Sequence, residues 1–256
     1  MLVLFVFGNE PSELALAKSY GIPYSSFSFT NLDLNQKTTM SNSKIIATLF
    51  SLRNEYDTNF NAIPNLDKLL YRLYQELKSY DFETYKKHLE VEIEKNLNEW
   101  WINPEKGIIR DEELFAILFE FDGYFLMEGV DAAAYGIGTW KDYKVQTEEF
   151  DMGYDYDFAT KFDALPGITM SFMDSLAILD DEKLPSEYKD VDIDELDGLI
   201  ELFELYKFEG FIAIHETLMK MDFEQKFEGL NYKNNFMFII DEHDSGEVYP
   251  LLIKNK

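Results

Sequence analysis

Apolar residues recur at helical spacing in the first part of the chain and at strand spacing in the rest. Leu66, Leu69, Leu70, Leu73 and Leu77 follow Pro64 at intervals of three and four, which lines one helix face. Phe82, Tyr85, Leu89, Ile93, Leu97 and Trp100 do the same over 82–101, with Asp81 placed as N-cap. The break at Tyr80-Asp81 predicts an αα-hairpin. A further helix is expected near 43–53. Ahead of these, 2–7 reads as a strand and 11–19 as a short helix. The Ser-, Thr- and Asn-rich stretch 22–42 reads as loop.

After Asn103-Pro104 the period changes. Leu114–Phe121 and Tyr124–Val130 flank Asp122-Gly123, a two-residue hairpin signal. A helix over 111–120, capped by Asp111, is the rival. Ala132–Trp140 reads as a third strand, bent or closely packed at Gly136 and Gly138, and 143–150 as a fourth. Phe150, Met152, Tyr154, Tyr156 and Phe158 then alternate strictly with Asp151, Gly153, Asp155 and Asp157. That predicts a strand with one buried and one solvated face. Helices are expected at 170–179, 193–207 and 210–221, and a terminal hairpin from Asn235–Asp241 and Glu247–Ile253.

The predicted class is α+β, with a helical hairpin in the N-terminal part and a largely antiparallel sheet flanked by helices in the C-terminal part. Two lobes are expected, a β-α plus helical-hairpin lobe (1–103) and an acidic α+β lobe (104–256), with the boundary at 104–107. One continuous α+β domain is the alternative.

Charge sharpens this division. The 256 residues hold 49 Asp+Glu and 23 Lys+Arg, a net of −26. Residues 1–100 carry 13 acids and 10 bases, so 36 acids and 13 bases, a net of −23, lie beyond them. The stretch 146–204 alone has 18 acids and 3 bases. Such a balance argues against direct nucleic-acid binding, which needs Lys and Arg on one face, and against an anionic membrane surface. Disorder is not expected, because aromatics make up 16% of the chain and supply a core. The chain has no cysteine, which excludes disulfides, thiolate metal sites and cysteine nucleophiles. No apolar run approaches membrane-spanning length, and Met1–Phe7 lacks the flanks of a signal peptide. Cytoplasmic residence is expected.

Catalytic chemistry finds little purchase. His215-Glu216 matches the start of a zinc-protease helix motif, but Met219 stands where the second histidine is required. His215 is expected to be packed and hydrogen-bonded, and His88 to be exposed. Asp241-Glu-His-Asp244 offers four potential ligands in a row, which one turn cannot converge on a single ion. Asp155-Tyr-Asp157 lacks the glycine of a calcium loop. Gly136-Ile-Gly138 is too short for a phosphate fingerprint. No catalytic residue, cofactor or metal site is assigned, and no enzyme activity is expected. Paired carboxylates of glycosidase type, set by geometry rather than motif, are the enzymatic alternative.

The acidic segments carry the functional expectation. Asp151, Tyr154, Asp155, Tyr156 and Asp157 on one strand, with Asp190, Asp192, Asp194, Glu195 and Asp197 beyond it, are candidate partner-binding residues. Carboxylates rimming aromatic anchors suit a basic protein partner. In composition the chain resembles the immunity proteins of bacterial toxin–immunity pairs: small, acidic, aromatic-rich and without a catalytic motif. That resemblance implies an inhibitor that occludes a toxin or nuclease. A nucleic-acid mimic that blocks a DNA-binding protein is a further alternative.

Overall fold

A computed structural model describes residues 40–102, 113–122, 129–141, 154–160, 162–180 and 182–255. The strand expected at 2–7, the helix at 11–19, the strand at 143–150, the boundary at 104–107 and Asp151 lie outside these residues. What is described is α+β: a six-stranded mixed sheet, mostly antiparallel, with helices packed on it. Among the described residues no helix is long and apolar enough to cross a membrane.

Helix α1 (Asn42–Asn61) runs past the expected 43–53, starting where the Ser41 hydroxyl accepts the Lys44 N–H. Helices α2 (Lys68–Ser79) and α3 (Phe82–Asn96) form as the leucine spacing predicts. Each begins at an aspartate N-cap, Asp67 bonding Leu69 N and Asp81 bonding Thr84 N. α3 ends in one π turn over Leu97–Trp101, closed by Ile102 N to Leu97 O at 3.0 Å. The wider turn advances each residue through a smaller angle than an α turn. Trp101, not the expected Trp100, therefore comes round to the core face and is fully buried.

Strands β1 (Leu114–Phe121), β2 (Asp131–Trp140), β3 (Tyr156–Phe158), β4 (Leu165–Thr169), β5 (Tyr232–Glu242) and β6 (Val248–Lys254) form the sheet. The path runs β3-β2-β1-β5-β6, and β4 shares the outer edge of β2 with β3. The rival helix at 111–120 does not form. The strand expected at 124–130 lies mostly outside the described residues, but both edges of β1 are taken by other strands. Its antiparallel partner is β2, with Glu120 opposite Ala133, and its other neighbour is β5, in parallel. The apolar run of β1 is buried on both sides, so either neighbour of the turn satisfied the pattern. The two glycines of β2 have different roles. At Gly136 a Cβ would stand 2.8 Å from Phe162, and Gly138 is the extra residue of a bulge against β3.

Helix α4 (Leu199–Phe223) is one helix, not the expected pair. Gly210 does not interrupt it; its bare Cα admits the ring of Phe172. The segment expected as a helix at 170–179 is a 3₁₀ helix, Ser171–Leu179. α4 is apolar nearly all round and buried accordingly. It packs against α1 through Tyr56 on Phe208, 5.7 Å between ring centroids, and against β1 through Phe211 on Phe121 at 6.2 Å. Trp101, Phe119, Phe227 and Phe238 continue the aromatic layer under the sheet.

Among the described residues, two of the three strand edges are closed by helix side chains. The Asn42 carboxamide donates to Ile253 O and accepts from Ile253 N, both at 2.8 Å, which seals β6. Along β4, Trp101 Nε1 donates to Pro166 O (2.9 Å), Asn96 Nδ2 to Gly167 O (2.7 Å) and Tyr85 OH to Thr169 O (3.0 Å). Glu92 accepts the Thr169 N–H at 3.0 Å. α3 thus stands in for a neighbouring strand. We expect Asn42→Ala to cost about 1–2 kcal/mol, since both backbone groups of Ile253 lose their partner. Urea denaturation measures this, together with faster hydrogen exchange at Ile253; no change in either would show that water replaces the amide without cost.

Candidate functional site

Among the described residues β3 pairs with β2 alone, across the bulge at Gly138. Of the face expected to be buried over 150–158, Phe150 and Met152 lie outside the described residues, and the described remainder is not fully buried. Tyr154 is 43% exposed and Phe158 48%, while Tyr156 is half-buried. The row of rings lies along the rim of the sheet, with Tyr156 against the core and Tyr154 and Phe158 exposed to either side. Phe158 packs on Tyr135 at 4.9 Å between centroids, Tyr156 on Trp140 at 5.3 Å, and Tyr154 on Tyr156 at 6.0 Å. Asp155 and Asp157 alternate with them and are exposed. Asp157 is held in place by the Thr139 hydroxyl, which donates to it at 2.8 Å.

This rim leads to a cluster that the sequence did not single out. Glu120 and Asp241 are register partners on the parallel strands β1 and β5, so their side chains share a face. Asp241 is 2% exposed. Tyr154 OH donates to it at 2.9 Å and the Ser245 hydroxyl at 3.3 Å. Burial pushes its pKa up to about 6; the two donated hydrogen bonds and His243 pull it down, and the Glu120 charge adds to the rise. His243 Nδ1 lies 3.2 Å from Glu120 Oε1, and that hydrogen bond, with the charges of Asp244 and Glu120, raises the pKa of the imidazole. Burial raises Tyr156 as well, and Asp241 adds to it. Signals for both acids were present: Glu120 is the one charge in Leu114–Phe121, and Asp241 has the parity of Met237 and Ile239.

The next residue points the other way. Glu242 bonds the buried Lys207 of α4 at 2.8 Å, and Glu204 pairs with the same ammonium at 2.5 Å. Burial opposes the charge of Lys207, but the two carboxylates outweigh it and its pKa is raised. The triad is internal and joins α4 to β5.

Asp190, Asp192, Asp194, Glu195 and Asp197 are all exposed. Asp192 bonds the Asp194 N–H and starts the 3₁₀ turn Ile193–Glu195. The segment is tied down at both ends on the α1–α2 turn. Tyr188 OH donates to Asp67 at 2.8 Å, and Gly198 packs against Ile63 and Leu66. It therefore belongs to the helical layer, and no hydrogen bond or ion pair among the described residues links it to β3. His215 is packed as expected, its Nδ1 2.6 Å from Leu251 O, and burial lowers its pKa. Among the described residues no group of three or more His, Asp or Glu is arranged to hold a metal ion.

No family model, curated protein or solved structure matches the chain.

Proposed function

We propose that the protein is a non-enzymatic binding protein that captures a basic protein on the β3 rim and inhibits it by occlusion, as a toxin or nuclease inhibitor does. The observation that carries this reading is the half-exposed pair Tyr154 and Phe158 interleaved with the exposed carboxylates Asp155 and Asp157. Large aromatics desolvate well at an interface centre, and surrounding acids steer a cationic partner. The rings are already packed on one another at tilted angles, so little side-chain freedom is lost on docking.

Two features favour binding over hydrolysis. Asp241, the buried acid nearest the rim, is covered by Tyr154 and is not open to a substrate. A cleft of about 300 Å³ between α2 and the Ser171–Leu179 segment is lined in part by Glu76 and Asp174. There Asp174 accepts the Gly129 N–H and Glu76 pairs with Arg72, so both acids are already engaged. The separate placement of 190–197 and β3 favours a protein contacted at the rim over mimicry of a continuous phosphate row.

The test is the pair Asp155→Lys and Asp157→Lys made together. A basic partner is isolated from host lysate with the wild-type chain, and its association is followed by stopped flow. The double variant should associate at least tenfold more slowly at low salt, with a shallower salt dependence. An unchanged association rate would place docking elsewhere.

A further inference from the structure

Among the described residues the three strand edges are treated differently. β6 is sealed by Asn42, and β4 by Trp101, Asn96, Tyr85 and Glu92. Among the described residues no helix side chain bonds the backbone of β3. Its inner side is fixed by Lys141 N to Asp155 O at 2.9 Å and Ala159 N to Gly136 O at 2.7 Å. Backbone groups alternate along a strand, so residues 155, 157 and 159 face β2 while Phe158 turns its N–H and C=O outward. The Tyr156 N–H is taken by Tyr154 O at 2.7 Å, which leaves its carbonyl directed the same way as those of Phe158.

We propose that β3 is completed by strand addition: an extended segment of the basic partner, with Lys or Arg at every second position and apolar residues between, hydrogen-bonds to Phe158 and Tyr156. This rests on the docking reading above and specifies its mode. The pattern follows from the two faces of β3. On one face Tyr135, Tyr156 and Phe158 form an aromatic platform for the apolar residues. On the other, Asp155 and Asp157 meet the cations, Asp157 already oriented by Thr139. Cross-strand pairs of opposite charge stabilise such an addition, and like charges oppose it. A second copy of this chain would set aspartate against aspartate with −26 on each molecule, so the same residues that select a basic strand reject self-pairing.

The probe is an end-blocked nonapeptide alternating lysine and valine, used with the whole protein. Two controls carry N-methyl groups on every valine or on every lysine; each blocks the hydrogen-bond donors along one edge of the peptide and leaves charge unchanged. Affinity is measured at low salt by calorimetry, and exchange of the Phe158 N–H by NMR. The parent peptide should bind and slow exchange at Phe158, one methylated form should bind like the parent, and the other should bind at least tenfold more weakly. Equal binding of all three with Phe158 unprotected overturns strand addition and leaves acidic docking standing. No binding by any of them overturns both.

Discussion

Gly210→Ala lowers the unfolding free energy by about 2–3 kcal/mol, although alanine is the better helix former by about 1 kcal/mol. The added Cβ would stand 2.0 Å from Phe172 Cζ and 2.6 Å or less from the rest of the ring edge. Phe172 cannot swing aside. It is 1% exposed and packed edge-on against Tyr85 at 5.3 Å, with Phe82 at 6.1 Å. Relief must come from moving the Ser171–Leu179 segment off α4. Shortening the ring in the double variant Gly210→Ala/Phe172→Leu should recover part of the loss, which distinguishes a steric cause from a backbone one. Urea denaturation of the two variants decides it; a single variant as stable as wild type would mean that the two elements separate without cost.

Asp241→Asn has the opposite sign: it stabilises the protein by about 2–3 kcal/mol at pH 7.5. The carboxyl titrates at about 6 in the folded chain against 3.8 for the free group, and each unit is worth about 1.4 kcal/mol. A raised carboxyl pKa means that the folded state holds the proton more tightly than the unfolded one. The stabilising contribution is complete below pH ~4 and is lost as pH rises through 6. At neutral pH Asp241 is therefore a buried charge carried at a cost. The amide keeps an oxygen for Tyr154 and Ser245 and removes the charge. Burial also raises Glu204, whose titration has the same sign. The difference between variant and wild type across pH 4 to 8 isolates Asp241. That difference should shrink to near zero at pH 4; a gap independent of pH would show that packing, not charge, is responsible.

These two positions also show where the amino-acid pattern was readable. Helices α2 and α3, the Asp81 cap, β1, the terminal hairpin and the packed state of His215 follow from periodicity and capping alone. Gly210 misled because its helix-breaking tendency is a local property, and the ring that needs its space lies 38 positions earlier in the chain (210 − 172 = 38). The rim at 154–158 was located by its alternation, but period two says only that two faces differ. Which face is covered depends on neighbours, and an edge strand has one. Asp241 ends the expected strand 235–241, but the Glu242, His243 and Asp244 that follow it group it with the charges of a turn. Its burial comes from strand parity and from Tyr154, far away in sequence. Pairing across the sheet is the step that pattern does not encode, and so the hairpin partner of β1 was misassigned as well.

The parallel pairing of β1 with β5 has a consequence for how the molecule is made. Ile117 waits for Phe238 and Glu120 for Asp241, so the centre of the sheet closes only once β5 has been made. Until then Leu114–Phe121 can pair with β2 along one side only, leaving a strand of six apolar residues and one alanine with an open edge. Contacts so distant along the chain slow folding and lengthen the exposure of such surfaces. The heavy negative charge that follows β1 in the chain is well placed to keep nascent molecules apart during that interval, a service to solubility that is independent of any partner.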